Sequence, residues 1–181
     1  MTGNEQINAT DIDALRIVHY PDPRLMQMCQ PLDVVDAAVR RLAAKMFELM
    51  FDFHGVGLAG PQVGLTVRLF VASPTFDPSD LRVYINPRIL SSEGSQDGEE
   101  GCLSFPGISC TIKRANIATI EATDLDGQVF QETGEGLTAR IFQHESDHLD
   151  GRLLVDRMGS VAKLANRRAL KDLEEEFAEA K

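Results

Sequence analysis

The 181-residue sequence has no tryptophan and only two tyrosines, and its three cysteines, Cys29, Cys102 and Cys110, contain no Cys-x-x-Cys pair. An odd set of thiols so placed argues against a disulfide framework and favours a reducing compartment, with the cytoplasm as the expected location. No apolar run approaches the length needed to cross a bilayer, so no membrane partner is expected. The opening stretch MTGNEQINATDIDAL is too polar for a secretory signal and too poor in arginine for a transit peptide; residues 1–14 are expected to form a loose tail. Cations are scarce as well: 18 Lys plus Arg face 28 Asp plus Glu, a formal charge of -10. Such a surface repels polyanions, which argues against DNA binding by the molecule as a whole.

What is present fits one globular domain. The length allows a substantial core without disulfides or structural metals, so any bound metal should be functional. Prolines 21, 23 and 31 break the segment IVHYPDPRLMQMCQPL into an extended arm. Apolar residues Val39, Leu42, Met46, Leu49, Met50 and Phe53 then recur at the spacing of one buried helical face, predicting a helix over 36–53. Strands are expected at 67–72, 83–86, 108–112, 116–122 and 128–131, the last two joined by the turn Asp124-Leu125-Asp126-Gly127. A second helix is expected over 138–148, and a third over 160–178 that buries Val161, Leu164, Ala165, Leu173 and Phe177. Strands lie between helices without βαβ alternation, which gives an α+β class: a single domain of mainly antiparallel strands around a central helix, with an N-terminal and a C-terminal helix.

Three stretches carry the chemistry. In QHESDH, His144 and His148 stand at i and i+4 on one helix face, where both imidazoles can reach a single metal ion, and Glu145 beside them could act as a base. An amphipathic helix carrying these residues on its polar side explains the same string. A metal needs at least one further protein ligand, and no downstream residue fits; upstream, Glu100-Gly101-Cys102-Leu103-Ser104 offers a soft anionic sulfur. Cys102 taken alone reads equally as a small buried hydrophobe or as a nucleophile paired with histidine. The third stretch, Gly55-Val56-Gly57-Leu58-Ala59-Gly60-Pro61-Gln62-Val63-Gly64, is rich in glycine but lacks the Lys and Ser/Thr of a P-loop, so close backbone approach to some other ligand is the better reading.

GVGLAGPQ, EGCLS and HESDH, in that order and spacing, resemble the three motifs of peptide deformylase, and the similarity extends over nearly the whole chain. The resemblance implies removal of the formyl group from the N-terminal formylmethionine of nascent polypeptides. It implies Cys102, His144 and His148 as ligands of one divalent metal, naturally ferrous iron, with zinc, nickel or cobalt able to replace it. Glu145 would be the acid and base, and the Gln62 side chain with the Leu103 backbone N–H would stabilise the oxyanion. The peptide would lie extended along Gly55, Val56 and Gly57, its methionine entering an apolar pocket walled by Val56, the helix residues around Phe142, Glu100 and Gly101. One departure is visible: Gly60 stands where the motif usually has alanine, and this is expected to loosen the loop slightly.

Asp147 is expected to pair with Arg114, either bracing the metal helix or as an ordinary surface pair. Lys163, Arg167 and Lys171 recur at i+4, a basic stripe that would suit a ribosome partner, since deformylase C-terminal helices dock there; a solvated face explains it too. The rival activity is a metallopeptidase of the H-E-x-x-H type cleaving peptide bonds, which leaves Cys102 and Gln62 without roles.

Overall fold

Asp36 opens the first long helix by accepting the Val39 backbone N–H on its side chain at 3.0 Å, and the chain then buries Val39, Leu42, Ala43, Met46, Leu49 and Met50 on one face. Each such side chain contributes about 1.5–3 kcal/mol when fully buried. The computed structural model describes residues 1–180. Its elements in order are α1 (Gly3–Asn8), α2 (Ala37–Asp52), β1 (Gly57–Ala59), β2 (Leu69–Ala72), β3 (Arg82–Glu93), β4 (Gln96–Gly101), β5 (Ser109–Arg114), β6 (Ile117–Thr123), β7 (Val129–Glu135), α3 (Leu137–Leu149), α4 (Leu154–Arg157), α5 (Ser160–Ala165) and α6 (Arg167–Glu179).

Five strands form one antiparallel sheet in the order β1-β2-β3-β6-β7, and β4 pairs with β5 in a separate ribbon. The α+β reading holds. α3 lies against the large sheet, its Ala139, Ile141, Phe142 and Leu149 joining Phe70, Tyr84 and Ile120 in one core cluster. Among the described residues β1 pairs with β2 alone and forms the edge of the sheet. The β6–β7 turn forms as expected, with Asp124 Oδ1 accepting the N–H groups of Asp126 and Gln128 at 2.8 Å each.

Three expectations need correction. Residues 1–14 are not loose: Thr2 caps α1 and its own N–H donates to Glu5 Oε2 at 2.8 Å, while Ile7 and Ile12 sit in the α2 core. The capping box Thr2-x-x-Glu5 was the available signal. The C-terminal helix is broken at Asn166 into α5 and α6, and Val161 (81% exposed) and Leu164 (71%) face solvent rather than the core. Leu173 is buried as expected, and the inward face is completed by Ala162, Ala169 and Leu170. β3 and β4 also extend through the acidic, serine-rich stretch 91–101, where few residues favour strands; cross-strand pairing with β6 and β5 supplies what propensity lacks.

Candidate metal centre

Three segments distant in the chain meet at one point. The Cys102 thiol and the ring nitrogens of His144 and His148 all lie within 4.8 Å of one another. Cys102 Sγ is 3.2 Å from His148 Nε2. α3 supplies the two imidazoles through its i, i+4 spacing. The thiol comes from the turn that follows β4, closed by the Phe105 N–H donating to the Cys102 carbonyl at 2.8 Å.

The donor set fits a divalent transition-metal ion. A thiol and two imidazoles match known ligand types for such an ion and leave room for a fourth position. His144 Nδ1 is 2.9 Å from Glu100 Oε2. An ionised carboxylate can only accept, so this contact places the proton on Nδ1 and leaves Nε2 free for an ion. Burial opposes ionisation of Glu100, yet hydrogen bonds from Arg114 and His144 hold it well below the ordinary carboxylate range.

Behind the ligands lies a buried ion cluster. Arg114 reaches Glu100 through Nε at 2.9 Å and Nη2 at 3.0 Å, and Asp147 through Nη1 at 2.5 Å. The Arg114 and Asp147 side chains are 4% and 10% exposed, so the surface-pair alternative is excluded. Arg157 holds Asp147 from the other side, and Arg140 donates to Glu100 at 2.6 Å. Neither Arg140 nor Arg157 stands out in the sequence; the available signal for Arg140 was its place one helical turn before His144. Glu100, expected in the substrate wall, turns its carboxylate into this cluster and is 5% exposed.

Glu145 is buried beside the ligands with Oε2 unpartnered, and burial raises its carboxyl to about 7. A group poised there can hold or release a proton at neutral pH. Gly57 abuts this carboxylate, and any side chain at 57 would collide with it. Gln62 is 1% exposed; its Oε1 accepts the Ala59 N–H at 2.8 Å, which aims Nε2 toward Cys102 Sγ and Ser104 Oγ, each at 3.4 Å. Gly60 is fully enclosed: a Cβ there would stand 2.7 Å from the Val67 carbonyl oxygen. Glycine at 60 is thus what lets this loop pack against Val67.

A cavity of about 740 Å³ opens over these groups. Gly55, Val56 and Gly57 line one side, Gly101, Cys102 and Leu103 another, and Leu137, Ile141, His144 and Glu145 of α3 its floor. This volume suits a ligand of several residues.

A sequence model of polypeptide deformylase matches residues 14–164. Peptide deformylase from Acidobacterium capsulatum is 45% identical over 147 residues, covering 80% of this chain and 86% of the relative. The Pseudomonas aeruginosa peptide deformylase is 43% identical over 148 residues, covering 81% and 88%. Among solved structures, a plant peptide deformylase superposes with a TM-score of 0.89 at 39% identity, covering 93% of both chains. The crystal structure of a Legionella pneumophila peptide deformylase gives 0.84 at 40%, covering 91% and 97%.

Proposed function

The chain belongs to the polypeptide deformylase family, and from that premise we propose that the formyl-methionyl end of a nascent polypeptide is presented in the cavity to a metal held by Cys102, His144 and His148. The enzyme is a hydrolase that removes the N-formyl group from nascent polypeptides. The metallopeptidase reading finds no support among the relatives, and it leaves Cys102 and Gln62 idle.

The observation that carries the site assignment is convergence: Cys102, His144, Glu145 and Gln62 line one cavity, and His148 Nε2 stands 3.2 Å from Cys102 Sγ. A divalent ion held by Cys102, His144 and His148 would supply Lewis acidity and make water easier to deprotonate near neutral pH. Glu145 takes the proton of the attacking water and delivers it to the amine nitrogen as the carbon–nitrogen bond breaks, so formate and a free N-terminus leave. Charge growing on the formyl oxygen meets the Gln62 Nε2 and Leu103 N–H donors, held in advance by the Ala59 bond and the Cys102 turn. The peptide backbone lies along Gly55, Val56 and Gly57, at and just before the start of the edge strand β1, and its first side chain enters between Val56, Ile141 and Leu137. The thiolate ligand suits ferrous iron, with zinc, nickel or cobalt as substitutes. Three free cysteines suit a reducing cytoplasm. Docking of α5 and α6 on the ribosome through Lys163, Arg167 and Lys171 is the reading of the basic stripe, although Lys171 is already paired with Glu175 at 2.7 Å.

The test compares a formyl-Met peptide with its unformylated counterpart, for wild type and Glu145→Ala. Formate release without backbone cleavage, abolished in a variant that retains its metal, is expected. Cleavage of the unformylated peptide would contradict the proposal.

A further inference from the structure

α2 ends in a turn that suits glycine and carries histidine instead. The His54 N–H donates to the Phe51 carbonyl at 3.0 Å and the Gly55 N–H to the Met50 carbonyl at 2.8 Å. This pair of bonds closes the helix and sets residue 54 in the left-handed region, at φ 59°. Glycine takes that conformation freely, whereas an L side chain is strained there. A side chain kept in such a place against the preference of the backbone calls for an explanation. The His54 ring stacks on Phe76, with centroids 6.1 Å apart and planes 18° from parallel, and Phe76 is itself left-handed at φ 53°. Phe76 is fixed in turn by an edge contact with Phe51 at 5.3 Å and by a turn in which Ser73 Oγ accepts the Asp77 N–H at 3.0 Å. The His54 ring is thus held in place, yet the residue is exposed and lines the cavity beside Phe53.

The course of the peptide brings its third residue to this ring. Gly57 abuts the Glu145 carboxylate, so the reacting end lies at 57 and the path along Gly57, Val56 and Gly55 leads outward to His54. An extended peptide keeps step with that segment at about 3.3 Å per residue, which sets its first residue beside Val56 and its third beside His54. Side chains alternate along an extended chain, so the third turns to the protein as the first does, and the second turns to solvent. We propose that His54 is a specificity-determining residue whose ring packs on the side chain of the substrate's third residue and favours an aromatic there over an aliphatic one. Paired rings gain from their mutual geometry beyond the area they bury, which an aliphatic side chain of similar size cannot reproduce. This inference rests on the deformylase reading of the same cavity.

kcat/KM is measured for formyl-Met-Ala-Phe and formyl-Met-Ala-Leu amides, and for formyl-Met-Phe-Ala and formyl-Met-Leu-Ala amides, with the metal-loaded wild type, His54→Gly and His54→Asn. Glycine and asparagine both accept the left-handed backbone, so neither variant is expected to melt below the wild type, and a thermal scan checks this. In the wild type the Phe-to-Leu ratio at position three is expected to be about fivefold, the scale of one aromatic pair, and the ratio at position two to stay within about twofold of unity. In both variants the position-three ratio is expected to fall below about twofold. A wild type that shows no such preference at position three, or shows it equally at position two, overturns the proposal. So does a position-three ratio that survives unchanged in either variant. Formate released from all four peptides at similar rates removes this inference alone, whereas no formate from any of them with the wild type removes the deformylase reading as well.

Discussion

At the scale of single residues, the site depends on a few atoms whose neighbours leave them little freedom. Gln62 is pinned through its carbonyl oxygen, so its amide is fixed before any substrate arrives. Gln62→Ala is expected to lower kcat by about 100-fold to 1000-fold while metal content is unchanged, because on the proposed mechanism it removes one oxyanion donor and none of the proposed ligands; steady-state kinetics with metal analysis checks this. Glu100 orients His144, and Glu100→Ala is expected to weaken metal affinity by about 10-fold to 100-fold in a competition titration with a chelator. Gly60→Ala is expected to destabilise the fold by about 1–3 kcal/mol in urea unfolding, since the added methyl meets the Val67 carbonyl at 2.7 Å. The thiols differ in the same local way: Cys29 is 3% exposed and its pKa is pushed up to about 12 by burial, and burial also raises Cys110. Alkylation of folded, metal-free protein should therefore label Cys102 first, with peptide mass mapping as the readout.

At the scale of elements, legibility follows the strength of local patterning. α2 and α3 were readable because their apolar residues repeat at helical spacing, and the β6–β7 hairpin because Asp124 to Gly127 form a turn by themselves. β1 was hidden: three residues, Gly57, Leu58 and Ala59, carry almost no strand preference, and only pairing with β2 makes them one. β4 was hidden by its acidic, glycine-rich composition. The polar composition of residues 1–14 hides α1, while Ile7 and Ile12 anchor this segment to the α2 core. Ile7→Ala is expected to cost about 2–5 kcal/mol in urea unfolding, as a large-to-small change in a closed core does; a loose tail would cost nothing. The histidine helix is legible as a pattern by itself, whereas Cys102 is joined to its histidines only by the resemblance of the three motifs together, since no spacing rule connects it to a helix more than forty positions onward.

At the scale of the whole molecule, the fold brings a sheet edge and a helix face together at the proposed reaction site. The extended N-terminal arm ties two of its parts together: the Val18 N–H donates to the Gln62 carbonyl at 2.8 Å and the Tyr20 N–H to the Ser104 carbonyl at 2.9 Å. Because the proposed ligands come from α3 and from the turn after β4, a bound cation would add to the Arg140–Glu100 and Arg114–Asp147 ion pairs that already join α3 to the β4–β5 ribbon. The most direct measurement is the absorption spectrum of the cobalt(II)-substituted protein, with its metal stoichiometry, for wild type and Cys102→Ala. One cobalt per chain with a sulfur-to-cobalt charge-transfer band, lost in the variant, is the predicted result. A band that persists without Cys102, or a wild type that shows none, would contradict the site at its foundation.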